Sequence, residues 1–258
     1  MIKSIGFIGL GTVGKHMALN LLKGQLELSV YDRDPKNVAD LVAAGAQEAS
    51  DALTAAKGKD LVIVVLPEVE EMQAALSEEN GFIEGIGPET QVWGTKEHAV
   101  NGLLTVLAGG DVDIVNRCRE VFSFFGLNII HVGEIGDATR MKFVVNLMQA
   151  HIIEGLAEGF LFGEKFGFDA EKILEVLESG GITSPLMNLK GRRIARGDFS
   201  RNLALKYVHE GLALTNEIAK AKDLKLPAAE AVCSVYAQAV ANGYGEEDFS
   251  SVIKSLQN

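Results

Sequence analysis

Apolar positions along this chain follow two regimes. Up to about residue 133, short apolar runs alternate with amphipathic stretches, and beyond it helical spacing continues to the end. Runs at 2–8, 28–32, 46–48, 60–66, 90–93, 103–108 and 128–132 predict strands, and segments at 13–22, 37–44, 51–57, 69–76 and 112–125 predict helices between them. Residues 60–66 (DLVIVVL) stay apolar after the opening acid, as in a strand buried on both faces of a parallel sheet. Residues 94–102 (GTKEHAVNG) read as a polar loop. Later helices are predicted over 137–165, 169–179, 185–196, 203–222, 227–242 and 248–256. Alternating strands and helices followed by helices alone predict an α/β fold. Its parts are a Rossmann-type doubly wound parallel sheet over 1–135 and an all-α domain over 136–258.

The first strand runs into Gly9-Leu10-Gly11-Thr12-Val13-Gly14, a helix follows, and the second strand ends on Asp32-Arg33. A GxGxxG between strand and helix, with an acid at the next strand end, is a dinucleotide fingerprint. Gly9 permits the tight turn, Gly11 admits a pyrophosphate, and Gly14 lets helix and strand pack closely. The helix N-terminus, from Thr12 and Val13, offers amides to phosphate. Asp32 would accept the adenosine ribose hydroxyls and repel a 2′-phosphate, which favours NAD over NADP, while Arg33 beside it could tolerate NADP. The other reading is a structural glycine turn. Ligands of such sheets sit outside the carboxyl ends of the strands, so Leu66 and Pro67 are candidates to touch the nicotinamide, or are simply a strand end.

Within residues 141–148, Lys142 and Asn146 are the strongly polar side chains, and their i, i+4 spacing puts them on one helix face. Apolar residues cover the rest of that stretch, which predicts a helix buried nearly all round. Burial lowers a lysine's pKa towards the range useful for proton transfer. A snorkelling lysine with an incidental asparagine is the alternative.

Length and composition narrow the functional classes. With 258 residues, 47% hydrophobic and 23% charged, the chain suits two domains with sizeable cores, or one large one. A net charge of -11 argues against nucleic-acid or anionic-membrane partners and leaves a small-molecule partner, for which Lys142 could supply local positive charge. Cys118, Cys233 and the five histidines form no metal-binding spacing, so no metal is expected. No stretch approaches a membrane span and no signal peptide precedes the first strand, so the cytoplasm is the expected location.

Several separated motifs carry a family resemblance: IGFIGLGTVG (5–14), YDRDP (31–35), VVLP (64–67) and GDATRMKFVVN (136–146). Over nearly its whole length the chain resembles the β-hydroxyacid dehydrogenases, the 3-hydroxyisobutyrate dehydrogenase-like group. GTKEHAVNGLLTVLAGG (94–110) and SPLMNLKGRRI (184–194) look closest to the glyoxylate and succinic semialdehyde reductase branch. The resemblance implies reversible hydride transfer between a nicotinamide and a small carboxylic acid bearing an aldehyde or ketone. It implies Lys142 as the catalytic lysine, delivering a proton to the carbonyl oxygen, with Asn146 holding the lysine or that oxygen.

Two departures from the family pattern stand out. After Trp93 about one βα unit, roughly 30 residues, is missing, and it would carry a serine loop and backbone amides for the substrate carboxylate. Gly94 and Thr95 look like the tail of the substrate-binding turn. The family's Lys-Asp pair falls on Glu210-Gly211. Two functions follow as candidates. One is an active reductase whose carboxylate site is rebuilt around Gly94, Thr95 or Lys96. The other is a nicotinamide-nucleotide-binding protein with impaired catalysis, a sensor or assembly subunit. The apolar faces of the helical domain exceed what one small domain buries, which predicts a homodimer or higher homo-oligomer.

Overall fold

Ile5 and Phe7, both fully buried, lie in β1 (Ser4–Ile8), at the middle of a four-stranded parallel sheet. In the computed structural model, which describes residues 2–66, 89–94 and 96–257, β1 pairs with β2 (Glu27–Tyr31) and with β4 (Leu61–Val64). β2 also pairs with β3 (Gln47–Glu48), giving the order β3-β2-β1-β4. Helices α1 (Gly14–Leu22), α2 (Pro35–Ala43) and α3 (Ala52–Ala56) connect these strands. Local chemistry starts the second and third helices. Asp34 accepts from Lys36 N at 3.1 Å ahead of Pro35, and Asp51 accepts from Thr54 N at 2.6 Å. Ile8 stands opposite both Tyr31 and Val64, so the glycine turn, Asp32 and Leu66 all follow the same end of the sheet.

Among the described residues, the first unit also holds a second sheet. β5 (Glu89–Trp93), β6 (Leu104–Gly109) and β7 (Gly126–Gly133) lie in the order β5-β6-β7, with β5 antiparallel and β7 parallel to β6. Parallel neighbours need a crossover of roughly a dozen residues or more, and the short link from β5 to β6 suits an antiparallel return. That link, expected to be a polar loop, contains helix α4 (Lys96–Asn101). Ala99 is fully buried, and Asn20 of α1 donates to its carbonyl at 2.8 Å, so tertiary packing fixes a helix too short to show a periodic pattern. α5 (Val112–Ser123) joins β6 to β7, and Phe7, Leu21, Val30, Val106 and Phe122 share one core.

The second unit is helical: α6 (Asp137–Glu164), α7 (Ala170–Ser179), α8 (Pro185–Ala195), α9 (Leu205–Ala221), α10 (Pro227–Ala239) and α11 (Ile253–Leu256), with a π turn at Val240–Tyr244 and a 3-10 turn at Phe249–Val252. Ile153, Phe160, Leu205, Leu212 and Tyr236 centre its core. The two compact units, 1–141 and 142–258, divide inside α6 between Met141 and Lys142. The expectation that this part of α6 is buried nearly all round needs correction. Val144 and Met148 are 54% and 58% exposed, so the apolar circumference includes an open face in the single chain. Among the described residues no helix is long and apolar enough to cross a membrane, and no cluster of three or more His, Cys, Asp or Glu residues could hold a metal.

Candidate functional site

The glycine turn is shaped by backbone contacts. Gly9 adopts φ +90°, and a Cβ there would run into the Val65 carbonyl and come within 3.1 Å of Leu66 Cδ2. Its N–H donates to the Tyr31 carbonyl at 3.0 Å, and the next amide, of buried Leu10, donates to Asp32 Oδ2 at 2.6 Å. A Cβ on Gly14 would collide with the Gly9 carbonyl, which explains the close passage of α1 over the turn. Gly11 differs: it is exposed and nothing lies within 4 Å of where its Cβ would stand. Thr12 is exposed, and Val13 gives α1 no side-chain cap.

Asp32 is held from three sides. Besides the Leu10 amide, its Oδ1 accepts from Asp34 N at 2.8 Å and from Asn37 Nδ2 at 3.1 Å. Beside it a cavity of about 410 Å³ is lined by Tyr31, Asp32, Arg33, Pro35, Val38 and Glu48, among others. An open glycine, an uncapped helix start and a cavity past a fixed carboxylate suit a dinucleotide's pyrophosphate and adenosine. Leu66 is half-buried and faces the glycine turn, whereas Pro67 lies outside the described residues.

Lys142 and Asn146 sit one turn apart on α6, both half-buried. Burial lowers the Lys142 ammonium from its ordinary range to about 8. The Asn146 amide nitrogen is 3.8 Å from where a Cβ on Gly211 of α9 would stand, so a residue of the pair in which the chain departs from its resemblance faces the predicted site. Glu210 is exposed, and Lys206 pairs with Glu246 at 2.7 Å. Gly94 is exposed at φ +150°, and a Cβ there would press on Leu104 within 2.8 Å. Trp93 before it is 41% exposed, and Thr95 lies outside the described residues.

The sequence reading missed two polar contacts at these places. Gln91 Nε2 donates to Thr139 Oγ1 at 3.1 Å, fastening β5 to the first turn of α6 just ahead of Lys142. No sequence signal pointed to it. Asn37 had one: an amide in the first turn of a helix that starts at the strand end carrying Asp32.

Comparison with known proteins extends this picture. A family model for the NAD binding domain of 6-phosphogluconate dehydrogenase matches residues 4–93, and one for the NAD-binding of NADP-dependent 3-hydroxyisobutyrate dehydrogenase matches 136–256. The NAD-dependent L-serine dehydrogenase of Pseudomonas aeruginosa is 30% identical over 290 residues, covering 98% of this chain and 97% of that protein. The chloroplastic glyoxylate/succinic semialdehyde reductase 2 of Arabidopsis thaliana is 28% identical over 284 residues, covering 98% of this chain and 79% of that protein. Both aligned stretches exceed the 258 residues of this chain, so each relative carries sequence that is absent here. The solved structure of Mycobacterium tuberculosis 3-hydroxyisobutyrate dehydrogenase with L-serine shares the fold at a TM-score of 0.85 and 23% identity, covering 100% of both chains.

Proposed function

Because this chain belongs to the 3-hydroxyisobutyrate dehydrogenase-like β-hydroxyacid dehydrogenases, a family of NAD(P)-dependent oxidoreductases, we propose that it interconverts a small semialdehyde or 2-oxo acid and its hydroxy acid, with NAD as the preferred cofactor. The observation that carries the reading is Lys142, whose ammonium burial brings to about 8. A general acid works best with a pKa near the working pH.

The nicotinamide, when bound, supplies the hydride to the carbonyl carbon. Lys142 Nζ donates a hydrogen bond to the carbonyl oxygen and gives up a proton as that oxygen gains negative charge. One C–H and one O–H bond form, and the neutral amine recovers its proton from solvent. In the reverse direction the amine accepts the hydroxyl proton. Asn146, one turn on, orients the lysine or the substrate oxygen. Gly9 to Gly14 seat the pyrophosphate against the start of α1, and Asp32 takes a ribose hydroxyl. By the resemblance of their sequence to the family's substrate-binding turn, Gly94 and Thr95 are the residues proposed for the substrate carboxylate.

We read the active form as a homodimer, since Phe162, Phe166 and Ile182 are 69%, 64% and 70% exposed on the helical unit. Exposed aromatic and aliphatic residues of this kind suit a second copy. NADH consumption tests the reaction, with glyoxylate, succinic semialdehyde, tartronate semialdehyde and methylmalonate semialdehyde as substrates and Lys142→Ala as control. Turnover that requires Lys142 supports it. Turnover undiminished in Lys142→Ala removes the lysine from the chemistry, and NADH binding without turnover of any of the four favours the nucleotide-binding reading.

A further inference from the structure

Asp32 spends most of its hydrogen-bonding capacity on the chain itself. A carboxylate oxygen has about two good acceptor positions. Oδ1 fills both, taking Asp34 N at 2.8 Å and Asn37 Nδ2 at 3.1 Å, whereas among the described residues Oδ2 takes Leu10 N alone, at 2.6 Å. We propose that Asn37 is a positioning residue for cofactor selectivity: it occupies Oδ1, leaves one free position on Oδ2 for a ribose hydroxyl, and keeps the charge of Asp32 at the adenosine cavity. The inference rests on the NAD preference proposed above.

The geometry favours this role over a purely structural one. Asn37 is half-buried in the first turn of α2, and its own amide is fixed on the Asp34 carbonyl at 3.0 Å. Its side chain therefore starts from a rigid point. The two other donors to Asp32 are backbone amides, so Asn37 is the side chain among the three that a substitution can remove. Arg33, exposed next to Asp32, lines the same cavity and carries the charge that would attract a 2′-phosphate. Selection against that phosphate depends on the carboxylate keeping its place rather than turning away. With Asn37 gone, Oδ1 gains a vacant acceptor position and the carboxylate a looser seat.

The test titrates the purified protein with NADH and with NADPH, following nucleotide fluorescence, so no turnover is needed. Asn37→Ala and the near-isosteric Asn37→Leu are compared with wild type and Asp32→Ala, and again in the Asp32→Ala background. The preference for NADH over NADPH should fall about tenfold in both Asn37 variants, as expected for a lost hydrogen bond to a charged group. It should not fall further once Asp32 is gone, because Asn37 acts through it. An unchanged preference, an equal loss for both nucleotides, or an undiminished effect in the Asp32→Ala background would each overturn the inference. A wild type that binds the two nucleotides equally overturns the NAD preference and this inference with it. A wild-type preference that survives in Asn37→Ala overturns the inference alone.

Discussion

Lys190 donates to both carboxylate oxygens of Asp248, at 2.7 and 2.8 Å, and the two side chains are only 2% and 0% exposed. The ammonium lies 4.7 Å from the Phe249 ring centroid, and Asp248 also accepts from Ser250 Oγ at 2.7 Å and Asn202 N at 3.1 Å. The pair thus ties α8 to the approach to α9 and to the C-terminal 3-10 turn. Removing Lys190 takes away the direct charge partner of the buried carboxylate and leaves Arg193 Nη1 3.9 Å from its Oδ2, beyond hydrogen-bond reach. Lys190→Met should destabilise the chain by about 3–5 kcal/mol in urea unfolding at neutral pH.

The same pair sets an acid limit. Burial raises the Asp248 carboxyl, but the Lys190 charge and the Ser250 and Asn202 hydrogen bonds outweigh it and hold the group below the ordinary carboxylate range. Its folded pKa is therefore lower than its unfolded one. The contribution is complete above the ordinary range and is lost as pH falls through the folded value, because the unfolded chain takes up the proton first. Urea midpoints should drop below about pH 4 in wild type and depend less on pH there in Asp248→Asn.

For Lys142, about 8 implies opposite profiles for the two directions of reaction. Reduction needs the ammonium, so its kcat/KM should decline as pH rises past about 8, while that of oxidation gains. Lys142→Ala should lower kcat by about 10²–10⁴-fold with NADH affinity nearly unchanged. Lys142→Arg keeps the charge but cannot release its proton, so it should not restore turnover at any pH. A pH profile identical in both directions would contradict the assignment.

A second perturbed group lies farther along α6. Burial, and then the neighbouring Glu158, push the Glu154 carboxyl from 4.5 up to about 7. Its raised folded pKa means a contribution that is complete below about 4.5 and lost as pH rises through about 7. Glu154 is partly exposed, so screening keeps the effect small. Glu154→Gln should add on the order of 1 kcal/mol at pH 8 and almost nothing at pH 4.5. Equal effects at the two pH values would refute the raised Glu154 pKa.

Phe162 and Phe166 pack edge to face with ring centroids 5.0 Å apart, although both are exposed. If a second copy covers them, Phe162→Asp should shift sedimentation from dimer towards monomer at micromolar concentration. A wild type that sediments as a monomer at every concentration removes the dimer.

How much could be read from the sequence depended on whether the signal was local. DLVIVVL announces β4, Asp34-Pro35 announces α2, and the glycine spacing announces the turn, because each is written within a few residues. α4 escaped because a single buried alanine, Ala99, anchors it through Asn20, far away in sequence. The open face at Val144 and Met148 escaped because apolar composition reports what wants burial, not what supplies it. The Lys190–Asp248 pair spans 58 residues, and Lys190 in LMNLKGRRI looks like any helical surface lysine. Lys142 stands out in the sequence by its apolar neighbours, and the burial that lowers its pKa agrees with that pattern, whereas the hydrogen bond from Asn37 to Asp32 needed coordinates.

The bonds from Gly9 N to Tyr31 and from Leu10 N to Asp32 have a thermodynamic consequence. They order the turn as part of folding, so a nucleotide bound there, as proposed, would spend little configurational entropy on shaping its own receptor. Loop order and cofactor affinity are thereby coupled to global stability. A substitution that merely softens the first strand crossing would raise the dissociation constant without touching an atom that meets the nucleotide.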